Sequence, residues 1–188
     1  MAWLTTGKHS YYGQLHEYFE PIVTIGNFSS LASPCTFLGK AQHPSYMDKK
    51  LVSNYPFNNV PFGTTANIDY PKSGGNYEIS IGNDVWIGYD CVIMGGVTIG
   101  DGAIIGARTT INKNVPPYAV AVGKPFVIKK YRFSQDIIDK LLKIRWWDLK
   151  DDVILELIRN KWLLDINNFI EYYEKNLDKF TEEYYEQN

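Results

Sequence analysis

The sequence predicts a mainly β fold, a parallel β-helix carrying an inserted loop and a C-terminal α-helical cap. Three observations predict it. A six-residue repeat runs from Ile81 to about Val122, the period is lost between about Gly39 and Tyr77, and three amphipathic stretches follow Ser134. Written in sixes, the repeat reads IGNDVW, IGYDCV, IMGGVT, IGDGAI, IGARTT, INKNVP and PYAVAV. Its first position is Ile81, Ile87, Ile93, Ile99, Ile105 and Ile111, and its second is usually Gly. A period of six drifts around a helical turn, and a lone strand wants a period of two. A coil of three short strands per turn accommodates it. Each Ile then points into a narrow triangular core and stacks on the Ile three units later. The next residue turns a corner, where the backbone freedom of Gly is the expected reason for its presence.

The fifth position of each unit supports this reading. Val85, Cys91, Val97, Ala103, Thr109 and Val115 are small or medium and fill the interior beside the Ile stack. An earlier pair of units, IGNFSS and LASPCT from Ile25 to Thr36, places Cys35 in the same slot. Both cysteines are therefore expected as packing residues. They form no Cys-x-x-Cys pair and have no zinc-type His spacing, so neither a disulfide framework nor a metal site is expected.

A short solenoid exposes its ends and faces, and stacked repeats need caps. After the repeat, Ser134 is a candidate N-cap for a helix with Ile137, Ile138, Leu141, Leu142 and Ile144 at helical spacing. Asp152 to Leu164 and Asn168 to Tyr185 give two further helical stretches, and the Trp146-Trp147 pair reads as core filling. The expected organisation is a coil over 1–130, with the loop insertion at about 39–77, and a helical cap over 131–188. The chain has 188 residues, a formal net charge of -2 and no Lys/Arg run, so no nucleic-acid partner is expected. No stretch approaches the roughly 20 apolar residues that span a bilayer, and Met1 to Ser10 lacks a signal-peptide core. No membrane partner and a cytoplasmic location are expected.

The period-free stretch is where chemistry enters. A loop longer than about 15 residues inside a compact fold is usually functional or disordered. Tyr46, Tyr55, Phe57 and Phe62 give this one apolar anchors, so it is expected to be ordered and to line a site. It carries His43, one of three histidines. A neutral imidazole near pH 7 suits removal of a proton from a hydroxyl or amine attacking a carbonyl, which makes His43 the candidate general base. His9 and His16 lie near the N-terminus and read as packing or surface residues. No Gly-x-Ser-x-Gly pattern or activated cysteine points to a covalent acyl-enzyme.

The run IGNDVWIGYDCVIMGGVTIGDGAIIGARTTINKNVPPYAVAVGKP, followed by KYRF and IRWWD, resembles the hexapeptide-repeat acetyltransferases. The branch it resembles includes the xenobiotic acetyltransferases acting on chloramphenicol and streptogramins, with related sugar acetyltransferases. The resemblance covers about Thr5 to Trp147. It implies a left-handed coil and a homotrimer with acetyl-CoA as cosubstrate along clefts between neighbouring coils. It implies His43 as general base for direct attack on the thioester in a ternary complex. Trp86 would flank the thiol end. Gly106 and Ala107 would present backbone groups to the pantetheine arm, and Asn112 and Lys113 would follow. Lys124, Lys129 and Lys130 would lie near the nucleotide phosphates.

The chain departs from that branch at named places. Gln42-His43-Pro44 replaces Asn-His-Arg, and Val52-Ser53-Asn54 arrives about four residues late. The family's Gly-Asn-Pro-Ala-Lys becomes Gly123-Lys124-Pro125-Phe126-Val127, which displaces a basic residue, and Tyr89 stands where some relatives carry a small one. Tyr46, Asn54, Tyr55 and Phe57 are the candidate acceptor-binding residues. Their loop suits a polyhydroxylated acceptor, such as a nucleotide-linked amino sugar or a polysaccharide precursor. Antibiotic acetylation is the alternative, and a non-catalytic scaffold a further one.

Overall fold

A computed structural model describes residues 3–39, 77–177, 180 and 185. The chain winds through successive three-strand coils, each strand parallel to the one a coil below. The first coil is β1 (Leu4–Thr6), β2 (Tyr11–Tyr12) and β3 (Leu15–Tyr18), and the second is β4 (Ile22–Ile25), β5 (Ser30–Leu31) and β6 (Cys35–Leu38). The third is β7 (Glu78–Ile81), β8 (Trp86–Ile87) and β9 (Cys91–Met94), and the fourth is β10 (Thr98–Ile99), β11 (Ile104–Ile105) and β12 (Thr110–Ile111). A last coil is formed by Val115, bridged to Ile99, and by β13 (Ala119–Gly123). The antiparallel β14 (Phe126–Tyr131) closes it. The three sheets run β1-β4-β7-β10, β2-β5-β8-β11-β13-β14 and β3-β6-β9-β12. They are the first, second and third faces of a prism.

The core is the expected stack. Ile81, Ile87, Ile93, Ile99, Ile105 and Ile111 are all buried, and so are the fifth-position residues Val85, Cys91, Val97, Ala103, Thr109 and Val115. Cys35 lies in register with Cys91 on the third face, and both thiols are free. The outward residues alternate with these along each strand, as the pleat requires.

The corners overturn one expectation. The second-position glycines are not the residues with positive φ. The left-handed conformation falls at the fourth position, on Phe28, Asp84, Asp90, Gly96, Gly102 and Arg108, and in the last coil on Tyr118, which stacks above Gly102. What the second position requires is space. A Cβ on Gly88 would stand 2.6 Å from the Ala107 nitrogen, and one on Gly100 would stand 2.5 Å from the Pro117 nitrogen. Each glycine lets the next coil approach its backbone.

The third position closes the first corner with side chains. The Lys8 N–H donates to Asn27 Oδ1 at 2.9 Å, Asn27 N–H to Asn83 Oδ1 at 2.7 Å, and Asn83 N–H to Asp101 Oδ1 at 2.7 Å. The ladder ends one coil higher at Pro117, whose ring offers no acceptor. These bonds satisfy corner amides that the strand ladders cannot reach.

The cap descends along this same corner. It contains α1 (Gln135–Ile144), α2 (Asp151–Arg159) and α3 (Ile166–Lys175), with short 3-10 turns at Trp146–Asp148 and Trp162–Leu164. Ser134 precedes α1 as expected but makes no side-chain capping bond, whereas Asp165 caps α3 by accepting from the Asn167 and Asn168 amides. The expected second stretch splits at Asn160-Lys161, where Lys161 has a positive φ. The third starts at Ile166, earlier than expected, because the Asp165 carboxylate supplies its cap. Trp147 is buried in the core of the cap, and Trp146 packs on Phe28 with ring centroids 5.0 Å apart. Arg132 Nη1 donates to Asp84 Oδ2 at 2.9 Å and to the Gly102 carbonyl at 2.7 Å. At the other end, Lys8 Nζ donates to the Leu149 carbonyl at 2.8 Å, and His9 Nε2 lies 3.0 Å from both Asp151 carboxylate oxygens. Among the described residues no helix is long and apolar enough to cross a membrane.

The separation of space from backbone conformation is testable by urea unfolding. Gly88→Ala is expected to destabilise by about 1–3 kcal/mol, since the added methyl meets backbone of the next coil. Asp90→Gly, at a position that is already left-handed, is expected to change stability by less than about 1 kcal/mol. The reverse order would return the turn to the second position.

Candidate active site

The predicted site residues fall in two groups. His43, Tyr46, Asn54, Tyr55 and Phe57 lie outside the described residues. The two ends of their segment are described, and they meet at the corner between the third and first faces. Gly39 donates its N–H to the Tyr18 carbonyl at 2.8 Å. The carbonyls of Gly39 and Tyr77 both lie 3.1 Å from where a Cβ on Gly95 would be. A side chain at Gly95 would therefore crowd the carbonyls at both ends of the excursion.

The second group lines the second face and its far corner. Strand register sets Tyr11, Ser30, Trp86, Ile104, Val120 and Lys130 in one outward row. Adjacent strands stand about 4.8 Å apart, so three steps separate Trp86 from Lys130 by about 14 Å. The Trp86 indole is half exposed, although its strand neighbour Ile87 is fully buried. Tyr11, at the low end of the same row, is also exposed, so the row presents apolar surface to water at two levels.

Gly106 and Ala107 follow β11 at the corner between the second and third faces. They differ in what they can offer. Gly106 donates its N–H to the Ala121 carbonyl at 2.9 Å, and its own carbonyl accepts from the Cys91 thiol. A Cβ here would sit 2.8 Å from Val122 Cγ1, so its absence makes room for the next coil. Ala107 is exposed, and its N–H has no partner among the described residues. Arg108, beside it, escaped the sequence reading. Its guanidinium lies 5.9 Å from the centre of the Tyr89 ring, and its Nε lies 3.7 Å from Asp90 Oδ2. The signal was present, since fourth-position side chains share the corner of the second-position Gly of their unit.

The lysines gather at the top of the prism. Lys124 sits in the turn between β13 and β14. A register shift between Val120 and Ala121 inserts Lys129 beside Lys130, and both are exposed. Asn112 and Lys113 follow β12 at the third corner and are exposed, with the Lys113 ammonium 5.3 Å from the centre of the Phe126 ring.

Neither described thiol is a nucleophile. Burial pushes Cys35 up to about 11 and raises Cys91 as well, which holds both as thiols at neutral pH. A cleft of ≈ 560 Å³ between the first corner and the cap, lined by Asp84, Tyr118, Arg132 and Trp146 among others, includes none of the predicted site residues.

A family profile described as "Bacterial transferase hexapeptide (six repeats)" matches residues 78–113. The chain is 37% identical over 164 residues to a chloramphenicol acetyltransferase of Agrobacterium fabrum, covering 77% of this chain and 75% of the relative. It is 38% identical to a probable macrolide acetyltransferase of Lysinibacillus sphaericus, covering 78% and 82%. The chain belongs to the hexapeptide-repeat acetyltransferases. Among solved structures, a maltose O-acetyltransferase from Clostridium difficile 630 superposes with a TM-score of 0.51 at 27% identity. That match covers 70% of this chain and spans 60% of the other's length. The coil is thus the left-handed parallel β-helix of the family, and this member is an acyl-CoA-dependent acetyltransferase. The expected resemblance, fold and enzyme class all stand.

The buried thiols of this acetyltransferase yield a check. A disulfide reagent at pH 8 is expected to leave Cys35 and Cys91 unmodified until denaturant is added, when both react. Folding raises an acidic pKa here, so the unfolded chain releases protons first as pH rises. Stability is therefore expected to fall between the ordinary thiol value of 9.0 and about 11. Rapid labelling of the folded enzyme would show that one thiol is an accessible thiolate.

Proposed function

We propose that this enzyme transfers the acetyl group of acetyl-CoA to a hydroxyl or amine of a sugar, a nucleotide-linked amino sugar or a polysaccharide precursor, with His43 as general base. The observation that carries the reading is the row from Trp86 through Ile104 and Val120 to Lys130, with the Ala107 N–H beside it. It offers an indole at one end, a flat apolar wall with a backbone donor along its length, and cations at the other. An acyl thioester on a long arm ending in phosphates has those requirements in that order.

His43 removes the proton from the acceptor as that atom attacks the thioester carbonyl. The carbon–sulfur bond then breaks, and the thiolate leaves with the proton from the imidazole. Backbone donors of the coil hold the charge on the carbonyl oxygen, an effect worth about 3 kcal/mol per donor. The loop's acceptor side is assigned to Tyr46, Asn54, Tyr55 and Phe57, whose amide and phenol groups suit a polyhydroxylated ring.

We assign the enzyme to a homotrimer, a reading that the same geometry supports. The loop leaves and rejoins the coil at the third corner, and in a three-sided section that corner lies opposite the second face. Neighbouring coils packed side by side set one chain's loop against another chain's Trp86 row, and we assign the sites to those clefts. The reaction needs no metal, and a cytoplasmic location fits its cosubstrate. The sugar reading is supported by the likeness to the maltose O-acetyltransferase. Acetylation of an antibiotic hydroxyl is the second reading. It is favoured by the relatives that span three-quarters of this chain, one named a chloramphenicol and one a probable macrolide acetyltransferase.

Thiol release from acetyl-CoA, followed with nucleotide amino sugars, maltose and chloramphenicol as acceptors, separates the two. His43→Ala is expected to lower kcat by about 10²–10⁴ while CoA binding is kept. Turnover within a few-fold of the parent would remove His43 from the chemistry. Trp86→Ala is expected to raise the KM for acetyl-CoA roughly tenfold with a smaller change in kcat, from the loss of apolar contact. An unchanged KM would take the indole off the donor path.

A further inference from the structure

The lysines at the top of the prism are not equivalent, and Phe126 makes the difference. This residue opens β14 directly opposite Gly123 and is only 4% exposed. It belongs to the main core, so its ring closes the last coil from above. Lys113 reaches over it from the corner after β12. The described ion pairs include neither Lys113 nor Lys124. An ammonium held on the face of a buried ring, with no carboxylate beside it, keeps its charge and its N–H donors for an anion outside the protein.

We propose that Phe126 is a positioning residue for the cosubstrate, holding Lys113 where it meets a phosphate group of CoA. The inference rests on the acetyl-CoA reading above. The distance suits it, because the outward row carries a ligand about 14 Å from Trp86 to the level of β14, which is of the order of an extended pantetheine arm. Entropy supplies the reason for the ring. A lysine loses rotamer freedom when it is fixed on an anion. A stem already laid across Phe126 has given up part of that freedom before the ligand arrives. Phe126 touches neither the acceptor nor the reacting atoms, so it acts on donor affinity alone.

The test is equilibrium binding to the full-length enzyme of three probes: CoA, dephospho-CoA and pantetheine. It needs no acceptor. The variants are Phe126→Leu, which fills the core without a π face, Phe126→Tyr, which restores the face, and Lys113→Met, which keeps the stem without the charge. Phe126→Leu is expected to weaken CoA binding roughly two- to fivefold, the size of a cation–π contact, and Phe126→Tyr to recover it. Lys113→Met is expected to weaken it about tenfold or more. Pantetheine binding should not change in any variant. A loss seen with CoA but not with dephospho-CoA assigns the contact to the 3′-phosphate, and an equal loss with both assigns it to the pyrophosphate. Either result supports the proposal.

Equal CoA affinity across parent and variants, with thermal midpoints showing each folded, would overturn it. A pantetheine loss that matches the CoA loss would also overturn it, because Phe126 would then act by packing alone. A parent that binds no CoA would instead sink the acetyl-CoA reading itself.

Discussion

Every feature of this enzyme depends on one constraint, the close stacking of coil on coil at the spacing of a β-sheet. Adjacent strands lie about 4.8 Å apart, and at that spacing the chain cannot turn a corner with a side chain in the way. Gly82, Gly88, Gly100 and Gly106 mark the places where the next coil's backbone or first side-chain atoms occupy the space of a Cβ. The same spacing leaves corner amides facing the coil above. On the first corner the third-position side chains Asn27, Asn83 and Asp101 accept from them. The interior follows, since large apolar residues in the first slot, mostly Ile, and small or medium ones in the fifth fill the triangle between them.

The three corners then divide the work. The first is covered, because Phe28 and Tyr118 join the core of the helical cap while Lys8 and Asn27 bond to its backbone. The third holds the loop ends, Gly39 and Tyr77, against Gly95. The second is left exposed, with Tyr89, Ala107, Arg108 and Lys124 rising along it. Among the described residues the cap leaves that corner and the face beside it uncovered by occupying the first corner, and Arg132, tied to Asp84 and Gly102, fixes the cap in that place.

The period of six contains most of the fold because a buried stack requires the same residue class at the same slot in every turn. Ile99 and Cys35 could be assigned to the interior from spacing alone. The reason for the glycines could not. Periodicity reports which side chains point inward, and it is blind to φ, so a Gly kept for space looks identical to a Gly kept for conformation. Asp84 and Asp90 carry the left-handed turn instead, and a short polar side chain in the fourth slot gives no warning of that. The cap's helices were legible by their apolar spacing, but the start of α3 was set by the Asp165 carboxylate. Of the site, Trp86 and Ala107 could be placed because they sit within the repeat. The Lys113–Phe126 contact could not, since it joins a corner to a hairpin that reverses the chain after the repeat has ended.

Regularity also bears on what an interruption of the period adds to the coil. A perfect coil repeats the same wall on every rung, and a ligand could slide along it by one unit with little change in contact. The interruption between β6 and β7 removes that degeneracy. It gives one corner of one rung a segment that no other rung has, and Gly95, immediately above, lets its two ends close against the coil. Trp86 lies on β8, the first second-face strand after the chain returns, in register with Ser30 below and Ile104 above. Neither of those neighbours has an aromatic ring. The indole thus distinguishes one rung of an otherwise repeating wall, directly after the period resumes.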